Sequence, residues 1–255
     1  MSNSKNQSSL STLFQKFKND IDSLSVEDLQ RVIETIEYEK QKLKDIEQKR
    51  IQNKNLEEIK IQNGSKNSEE VVYIPKNFKK IHARIFKDNK NIVKVVFNEG
   101  LTEICESAFE GCTNLKEIVL PSNRVILRRN CFKDCTSLKE VEFKNVSNIS
   151  PYAFENCTSL EKIIFPETFS NIYTGAFKNC ISLHTVKFEK KGHYAKVFPR
   201  AFENCISLKT IEIPSWCYFD MEAFFNCHNL KTIYAYNAWR YASGFIYCNA
   251  EILPL

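Results

Sequence analysis

The stretch Ala153-Phe154-Glu155-Asn156-Cys157-Thr158-Ser159-Leu160-Glu161-Lys162-Ile163-Ile164-Phe165-Pro166 is one copy of a unit that recurs through most of the chain. Other copies begin at Ile85, Ala108, Cys131, Ala176, Ala201 and Ala223, of which the copy at Ile85 is degenerate. Successive starts lie 23, 23, 22, 23, 25 and 22 residues apart. A fixed period near 23 residues predicts a solenoid of stacked coils.

Each copy contains one strand candidate, Leu-x-x-Ile-x-Ile/Phe, in which apolar residues alternate with polar ones as in a strand with one buried face. Three of these strands end at a proline, at Pro121, Pro166 and Pro214. The preceding Ala-Phe-x-x-Cys is too short for a full helix and predicts a single helical or 3₁₀ turn. An apolar residue four positions before the Ala predicts a second short strand, at Ile81, Ile104, Leu127, Ile149, Ile172, Val197 and Phe219.

The motif Ala-Phe-x-x-Cys-x-x-Leu-x-x-Ile-x-Ile-Pro resembles the leucine-rich repeats of the BspA-like, or treponemal, type over roughly residues 70 to 250. The resemblance implies a right-handed, curved β-solenoid with its sheet on the concave side, built here from about seven to eight repeats of 22–25 residues. By content the chain is then α+β, because an α-helical hairpin or coiled-coil segment precedes the solenoid. The resemblance also implies a role in protein interaction.

Composition divides the chain into segments. We expect disorder in 1–9, a helical or coiled-coil segment in 10–52, a linker in 53–70 and the leucine-rich-repeat solenoid in 71–255, with an N-terminal cap at 71–84 and a C-terminal cap at 236–255. The N-terminal cap begins with Val71-Val72-Tyr73-Ile74-Pro75, which copies a strand end. The C-terminal cap would cover the last core layer with Trp239, Tyr241 and Phe245.

The segment 10–52 reads as two helices. The first carries Leu10, Leu13, Phe14, Phe17, Ile21 and Leu24 at three- and four-residue steps. The second starts at a capping box formed by Ser25 and Asp28. Its apolar residues Leu29, Ile36 and Leu43 lie seven apart, with Val32 and Ile46 at the complementary position and Glu39 interrupting the heptad. This stripe either folds back on the first helix, docks on the end of the solenoid or pairs with another chain.

Residues 10–50 are also similar to the N-terminal oligomerisation segment of histone-like nucleoid-structuring proteins. The similarity is carried by a short helix, then Leu24-Ser25-Val26-Glu27-Asp28-Leu29, then a long charged helix. It implies self-association. The Gly-Arg DNA-binding loop of that family is missing from the sequence, so DNA binding is not implied.

Charge and cysteine usage narrow the function classes. The net charge is +5, and residues 1–64 contribute 11 positive and 11 negative side chains, so the excess lies in the repeats and is too weak for a typical nucleic-acid binder. The sequence begins without an apolar run, and no window approaches the ~18 apolar residues of a membrane helix. Six cysteines share one repeat position and are expected to form a column of free buried thiols: Cys112, Cys135, Cys157, Cys180, Cys205 and Cys227. We therefore expect a cytoplasmic protein.

Two charged columns follow from the repeat. The residue after the repeat Phe alternates in sign along Lys87, Glu110, Lys133, Glu155, Lys178 and Glu203, so we expect ion pairs between neighbouring coils. Strand residues that point away from the core form the candidate protein-binding face, at Lys94, Glu117, Val119, Glu140, Glu142, Lys162, Ile164, Thr185, Lys187, Glu212 and Tyr234. Beside them lies a column of Lys116, Lys139, Glu161, His184, Lys209 and Lys231. The alternative is an ordinary solvated sheet face.

The sequence contains no convincing catalytic or metal-binding pattern. His82, His184, His193 and His228 have no metal-ligand spacing with the cysteines, and the closest cysteine pair, Cys131 and Cys135, is explained by the repeat. We expect no enzyme activity, no cofactor and no metal. The interpretation is a protein-interaction module with an unidentified protein partner and with N-terminal helices for self-association or docking. The alternative is an oligomeric scaffold, with nucleic acid bound through the helices as its third variant.

Overall fold

The computed structural model describes residues 25–63, 70–189, 194–220, 222–235 and 250–254. The expected disordered start, the first predicted helix, and the cap residues Trp239, Tyr241 and Phe245 lie outside these ranges. The chain divides into two compact units between Lys54 and Asn55. We describe the helix and the solenoid separately.

Helix α1 spans Val26–Asn63. It begins where the sequence predicts a second helix, and its first turn closes with a hydrogen bond of 3.0 Å from Leu29 N to Ser25 O. It continues past the predicted end at residue 52 and occupies much of the stretch 53–70 that we expected to be a linker. The reason is local: residues 53–63 contain neither Gly nor Pro and are rich in helix formers, and the first helix-stopping residue is Gly64.

The rest of the described chain is a parallel β-solenoid, which confirms the predicted fold class. Each coil contributes one odd-numbered and one even-numbered strand. The odd strands are β1 Glu70–Tyr73, β3 Ile92–Val96, β5 Glu117–Val119, β7 Glu140–Glu142, β9 Lys162–Phe165, β11 Thr185–Phe188, β13 Thr210–Ile213 and β15 Thr232–Ala235. The even strands are β2 Lys80–Ile81, β4 Glu103–Ile104, β6 Val125–Leu127, β8 Val146–Ile149, β10 Asn171–Ile172, β12 Ala195–Val197 and β14 Cys217–Phe219.

The strands form three parallel sheets. The first six odd strands make one sheet in the order β1-β3-β5-β7-β9-β11, and the even strands make a seven-stranded sheet. The short second strands predicted from Ile81 and its equivalents are thus confirmed. Strands β13 and β15 form a separate sheet with β16, Glu251–Pro254. The odd sheet is interrupted between β11 and β13, in the repeat of 25 residues, which is longer than the others.

The two ends of the solenoid differ from expectation in one respect. Strand β1 pairs with β3, as predicted for the half repeat in the N-terminal cap. At the other end the cap adds a strand that the sequence analysis missed, because β16 pairs with β15 and places Ile252 opposite Ile233. The tripeptide Ile252-Leu253-Pro254 matches the strand end Ile-x-Pro and was the available signal.

The Ala-Phe-x-x-Cys segment is not a helical turn but a series of reverse turns. Within it, bonds between residues three apart alternate with bonds to the next coil, as in Phe109 N to Cys131 O at 2.8 Å. Two positions in each coil are left-handed. One lies just before the Cys position, at Asp88, Gly111, Asp134, Asn156, Asn179, Asn204 and Asn226, and the other just before the Ala position, at Arg84, Ser107, Asn130, Tyr152, Gly175, Arg200 and Glu222. These left-handed residues reverse the chain and prevent a helix from propagating.

The core is built from columns of equivalent residues. The repeat phenylalanines stack face to face; Phe154, for example, lies 5.3 Å from both Phe132 and Phe177, measured between ring centroids. The predicted cysteine column is buried and free of disulfides. Its thiols donate to carbonyl oxygens of the preceding coil, as Cys157 Sγ does to Phe132 O at 3.2 Å. Burial raises the pKa of the Cys112 thiol to about 12, so the column is chemically inert.

Candidate functional site

The candidate face is the outer surface of the odd strands, which we call the odd-strand face. Strand register puts its residues into two columns that cross all six strands of the first sheet. One column is Val71, Lys94, Glu117, Glu140, Lys162 and Thr185, and the other is Tyr73, Val96, Val119, Glu142, Ile164 and Lys187. Their alternation with buried neighbours such as Ile118, Val141 and Ile163 turns every one of them outward.

The structure brings nine of the eleven predicted site residues onto this one sheet. The other two, Glu212 and Tyr234, lie side by side on the separate sheet of β13 and β15. A continuous ribbon across seven strands was therefore wrong, because the ladder is interrupted between β11 and β13. The flanking column from Lys116 to Lys231 is exposed, and its backbone stays adjacent from coil to coil, as in Lys139 N to Lys116 O at 3.2 Å.

The chemistry of the odd-strand face changes along the solenoid. The first three coils carry apolar side chains, with Tyr73 55% exposed and Val96 and Val119 half-buried beside it. The exposed carboxylates Glu140 and Glu142 follow on β7. The next two odd strands carry the exposed cations Lys162 and Lys187 around Ile164, which is 38% exposed. The face thus presents an apolar, an acidic and a basic zone in order.

Charges on the other surfaces of the solenoid are consumed by ion pairs. The alternating column behind the repeat Phe forms the expected pairs, with N–O distances of 2.9 Å for Lys87–Glu110, 2.8 Å for Lys133–Glu155 and 3.1 Å for Lys178–Glu203. On the outer side of the even strands, Lys80 and Arg128 both bind Glu103, at 2.7 and 2.6 Å, and Lys196 binds Asp220 at 3.0 Å. The hydrogen bonds from Lys80 and Arg128 lower the pKa of Glu103, although burial opposes them.

The odd-strand face is different. Among the nine site residues on it, one ion pair forms, between Lys94 Nζ and Glu117 Oε1 at 2.7 Å. Glu140 and Lys162 are direct neighbours in the register, yet within the described chain neither they nor Glu142 and Lys187 form an ion pair. Four formal charges are therefore presented to solvent in adjacent coils. An external ligand can engage them without breaking an internal contact.

The sequence analysis missed an aromatic cluster on the opposite surface. Lys196 Nζ lies over the ring of Phe198, 4.7 Å from its centroid, and 5.7 Å from that of Tyr218. Phe198 in turn stacks on Tyr173 at 4.8 Å. Because Lys196 also pairs with Asp220, these groups satisfy one another. The aromatic residues in the late copies were visible in the sequence, but the strand face on which they lie was not.

It also missed a ladder of side-chain amides at the left-handed position before the cysteine. Asn204 Nδ2 donates to Asn179 Oδ1 at 2.7 Å, Asn179 Nδ2 to Asn156 Oδ1 at 2.7 Å, and Asn156 Nδ2 to Asp134 Oδ1 at 2.6 Å. The signal was the recurrence of Asn, Asp and Gly at one repeat position. These residue types tolerate positive φ better than others do.

Helix α1 forms a second candidate surface. Its predicted stripe is exposed at Ile36 (58%), Leu43 (64%) and Ile46 (55%), and Ile33 and Tyr38 are exposed as well. A surface helix of a folded domain normally buries such a stripe. Exposed apolar residues at this spacing are typical of a helix that pairs with another element.

Residue chemistry elsewhere offers little for catalysis. Within the described ranges, no cluster of three or more His, Cys, Asp and Glu side chains has the geometry to hold a metal ion. His184 contacts the hydroxyl of its neighbour Thr185 at 2.9 Å. In the same ranges, none of the helical structure is long and apolar enough to cross a membrane.

Comparison with known proteins agrees with the fold. No curated protein matches the chain. Among solved structures, the chain is similar to a leucine-rich repeat protein of T. pallidum (22% identity, TM-score 0.43, covering 54% of this chain and 77% of that one). It is also similar to a leucine-rich cell surface protein of Faecalibacterium prausnitzii (20%, 0.47, 67% and 64%) and to the pneumococcal vaccine antigen PcpA (17%, 0.47, 74% and 42%). The description of the BspA type leucine-rich repeat region matches residues 65–184 and 147–253. The chain belongs to the BspA type leucine-rich repeat family.

Proposed function

We propose that this protein is a non-enzymatic interaction module that binds a protein partner through the odd-strand face. Solenoids of this kind offer extended surfaces on which neighbouring repeats act together. The observation that carries the proposal is the set of four unpaired charges, Glu140, Glu142, Lys162 and Lys187, on a surface that also exposes apolar side chains. The other charged columns of the solenoid are neutralised by internal ion pairs, as Lys133 and Glu155 are.

The proposal is tested by comparing proteins captured by three forms of the full chain. The baits are the unchanged chain, a variant with Lys162→Glu and Lys187→Glu, and a control with Lys76→Glu and Lys79→Glu. Both variants change the net charge equally, and all four lysines are exposed. We expect partners identified by mass spectrometry that bind the unchanged chain and the control but not the first variant. If capture is the same for all three baits, the odd-strand face is not the binding surface.

A second candidate function is an oligomeric scaffold in which helix α1 pairs with a second copy and presents several solenoids together. The exposed stripe of Ile36, Leu43 and Ile46 favours it. Multivalent presentation would strengthen weak contacts without any new contact surface. Light scattering of the full chain should give an oligomer that dissociates on Ile36→Glu with Leu43→Glu but not on Tyr38→Glu. A monomeric unchanged chain would contradict this candidate.

We further propose a cytoplasmic location. The support is that nine cysteines in the described chain are free and that eight of them are buried. Free core thiols suit a reducing compartment. Fractionation of the producing cells, followed by detection of the protein in each fraction, tests the location, and recovery outside the cytoplasm would contradict it.

A further inference from the structure

The odd-strand face repeats its chemistry every second coil. Exposed apolar side chains in the second column fall at Tyr73, Val119 and Ile164, on β1, β5 and β9. Charged Glu142 lies between the second and third of these anchors, and Lys187 follows the third. The anchors are thus separated by two strand steps in each case.

This spacing selects the conformation of a ligand that lies across the strands. Neighbouring strands are ~4.8 Å apart, so the anchors lie ~9.6 Å apart and the outer two are ~19.2 Å apart. A polyproline II segment has three residues per turn at 3.1 Å rise, which places every third side chain ~9.3 Å apart and spans ~18.6 Å over six residues. Four turns of an α-helix span ~21.6 Å and lose register by about half a coil. The polyproline II repeat fits the anchors best.

The unpaired charges set the order of charges in the ligand. Glu140 and Glu142 lie between the second and third anchors and attract a basic side chain. Lys162 and Lys187 flank Ile164 and attract an acidic one. A ligand with these two charges exchanged would place like charges opposite each other, which disfavours binding.

On the basis of the binding role proposed above, we propose that the odd-strand face binds a polyproline II segment lying across the strands. The segment has an apolar side chain at every third residue, a basic residue between the second and third apolar positions, and an acidic residue after the third. The narrow sheet, only three to five residues wide, suits a single extended chain.

The test uses two fluorescein-labelled peptides and the full chain. The matched peptide is Leu-Pro-Pro-Leu-Arg-Pro-Leu-Asp-Pro, and the exchanged peptide has Arg and Asp in each other's place. By fluorescence anisotropy we expect the matched peptide to bind roughly 2- to 30-fold more tightly, from two partly exposed charge pairs. A chain with Glu142→Lys and Lys187→Glu should lose or invert this preference, whereas Ile164→Ala should weaken both peptides equally. Circular dichroism checks that each variant is folded.

Three outcomes would overturn the inference. They are equal affinity for the two peptides, tighter binding of a helical peptide that presents the same leucines and charges at turn spacing, and no binding of either peptide at millimolar protein. If the inference fails while the lysine reversals still abolish partner capture, the proposed function stands with a ligand of another shape. If capture is also insensitive to the reversals, both fail.

Discussion

Replacing Asn179 tests whether the amide ladder stabilises the solenoid. Asn179 has a φ of 59° and occupies the middle of the ladder, where it donates to Asn156 and accepts from Asn204, each at 2.7 Å. Alanine at this position removes both hydrogen bonds and forces a residue with a Cβ but no side-chain amide into the left-handed region. Glycine removes the same bonds but adopts this conformation freely, as Gly111 does at the equivalent position with a φ of 72°.

The magnitudes follow from these two effects. Two side-chain hydrogen bonds contribute about 1–3 kcal/mol together, and the left-handed conformation costs about 1–2 kcal/mol for a residue with a Cβ. We expect Asn179→Ala to lower the free energy of unfolding by about 2–4 kcal/mol. Asn179→Gly should be milder by about 0.5–1 kcal/mol, because greater freedom of the unfolded chain offsets part of its advantage.

Asn179→Asp adds a test of direction. A carboxylate accepts from Asn204 but cannot donate to Asn156 Oδ1, so it meets another acceptor and its folded-state pKa should rise. A raised pKa means that the folded variant favours the protonated form, which can donate. The variant should therefore be least stable relative to the unchanged chain at neutral pH, and the difference should shrink as pH falls through the raised pKa.

The assay is urea unfolding of the full chain followed by far-ultraviolet circular dichroism, with midpoints and slopes compared across variants. The control is Asn145→Ala, because the Asn145 side chain makes no hydrogen bond within the described chain, and it should change stability by less than about 0.5 kcal/mol. Equal stability of the alanine and glycine variants would remove the backbone contribution. Losses no larger than that of the control would refute the ladder's role altogether.

Three further predictions concern the core and the ion pairs. Phe154→Ala should cost about 3–5 kcal/mol and more than Phe86→Ala, because Phe154 stacks on two repeat rings and Phe86 on one, at 5.0 Å from Phe109; equal urea midpoints would contradict this. Glu103→Gln should lower the thermal midpoint at pH 7 but not in acid, because a carboxylate with a depressed pKa stabilises the fold above its unfolded pKa and loses this effect as pH falls; a pH-independent difference would argue otherwise. Cys105, which is half-exposed, should be alkylated in the native state before Cys112 or Cys157, as mapped by mass spectrometry, and the reverse order would show that the column opens readily.

The repeat made much of the solenoid predictable. Inward and outward residues of the strands, the second strand at Ile81 and its equivalents, and the ion pairs such as Lys133–Glu155 all follow from residues in equivalent positions. The length of helix α1 could have been predicted as well, since nothing before Gly64 ends it. These features depend on local sequence and on stacking of like upon like.

Other features depend on contacts that residue type does not encode. The left-handed position before the cysteine carries Asp, Gly and Asn, which signal positive φ, but the one before the alanine includes Tyr152, Arg200 and Glu222, which do not. There the conformation is imposed by backbone hydrogen bonds to the next coil, such as Arg200 N to Glu222 O at 3.0 Å. The interruption of the odd sheet after β11 also had only a faint signal, the longer repeat. It divided the predicted binding ribbon, which periodicity alone drew as continuous.

The alternating ion pairs constrain how such a chain can grow or shrink by recombination. Lys87, Lys133 and Lys178 recur at intervals of 46 and 45 residues, so the charge pattern has twice the period of the backbone. Loss of a single coil between Lys133 and Lys178 would set these two lysines side by side, whereas loss of two coils would again join Lys to Glu. The phenylalanine and cysteine columns accept either change. Gene duplication within this repeat should therefore have proceeded most easily in pairs of coils, and the pairwise spacing of Tyr73, Val119 and Ile164 has the same period.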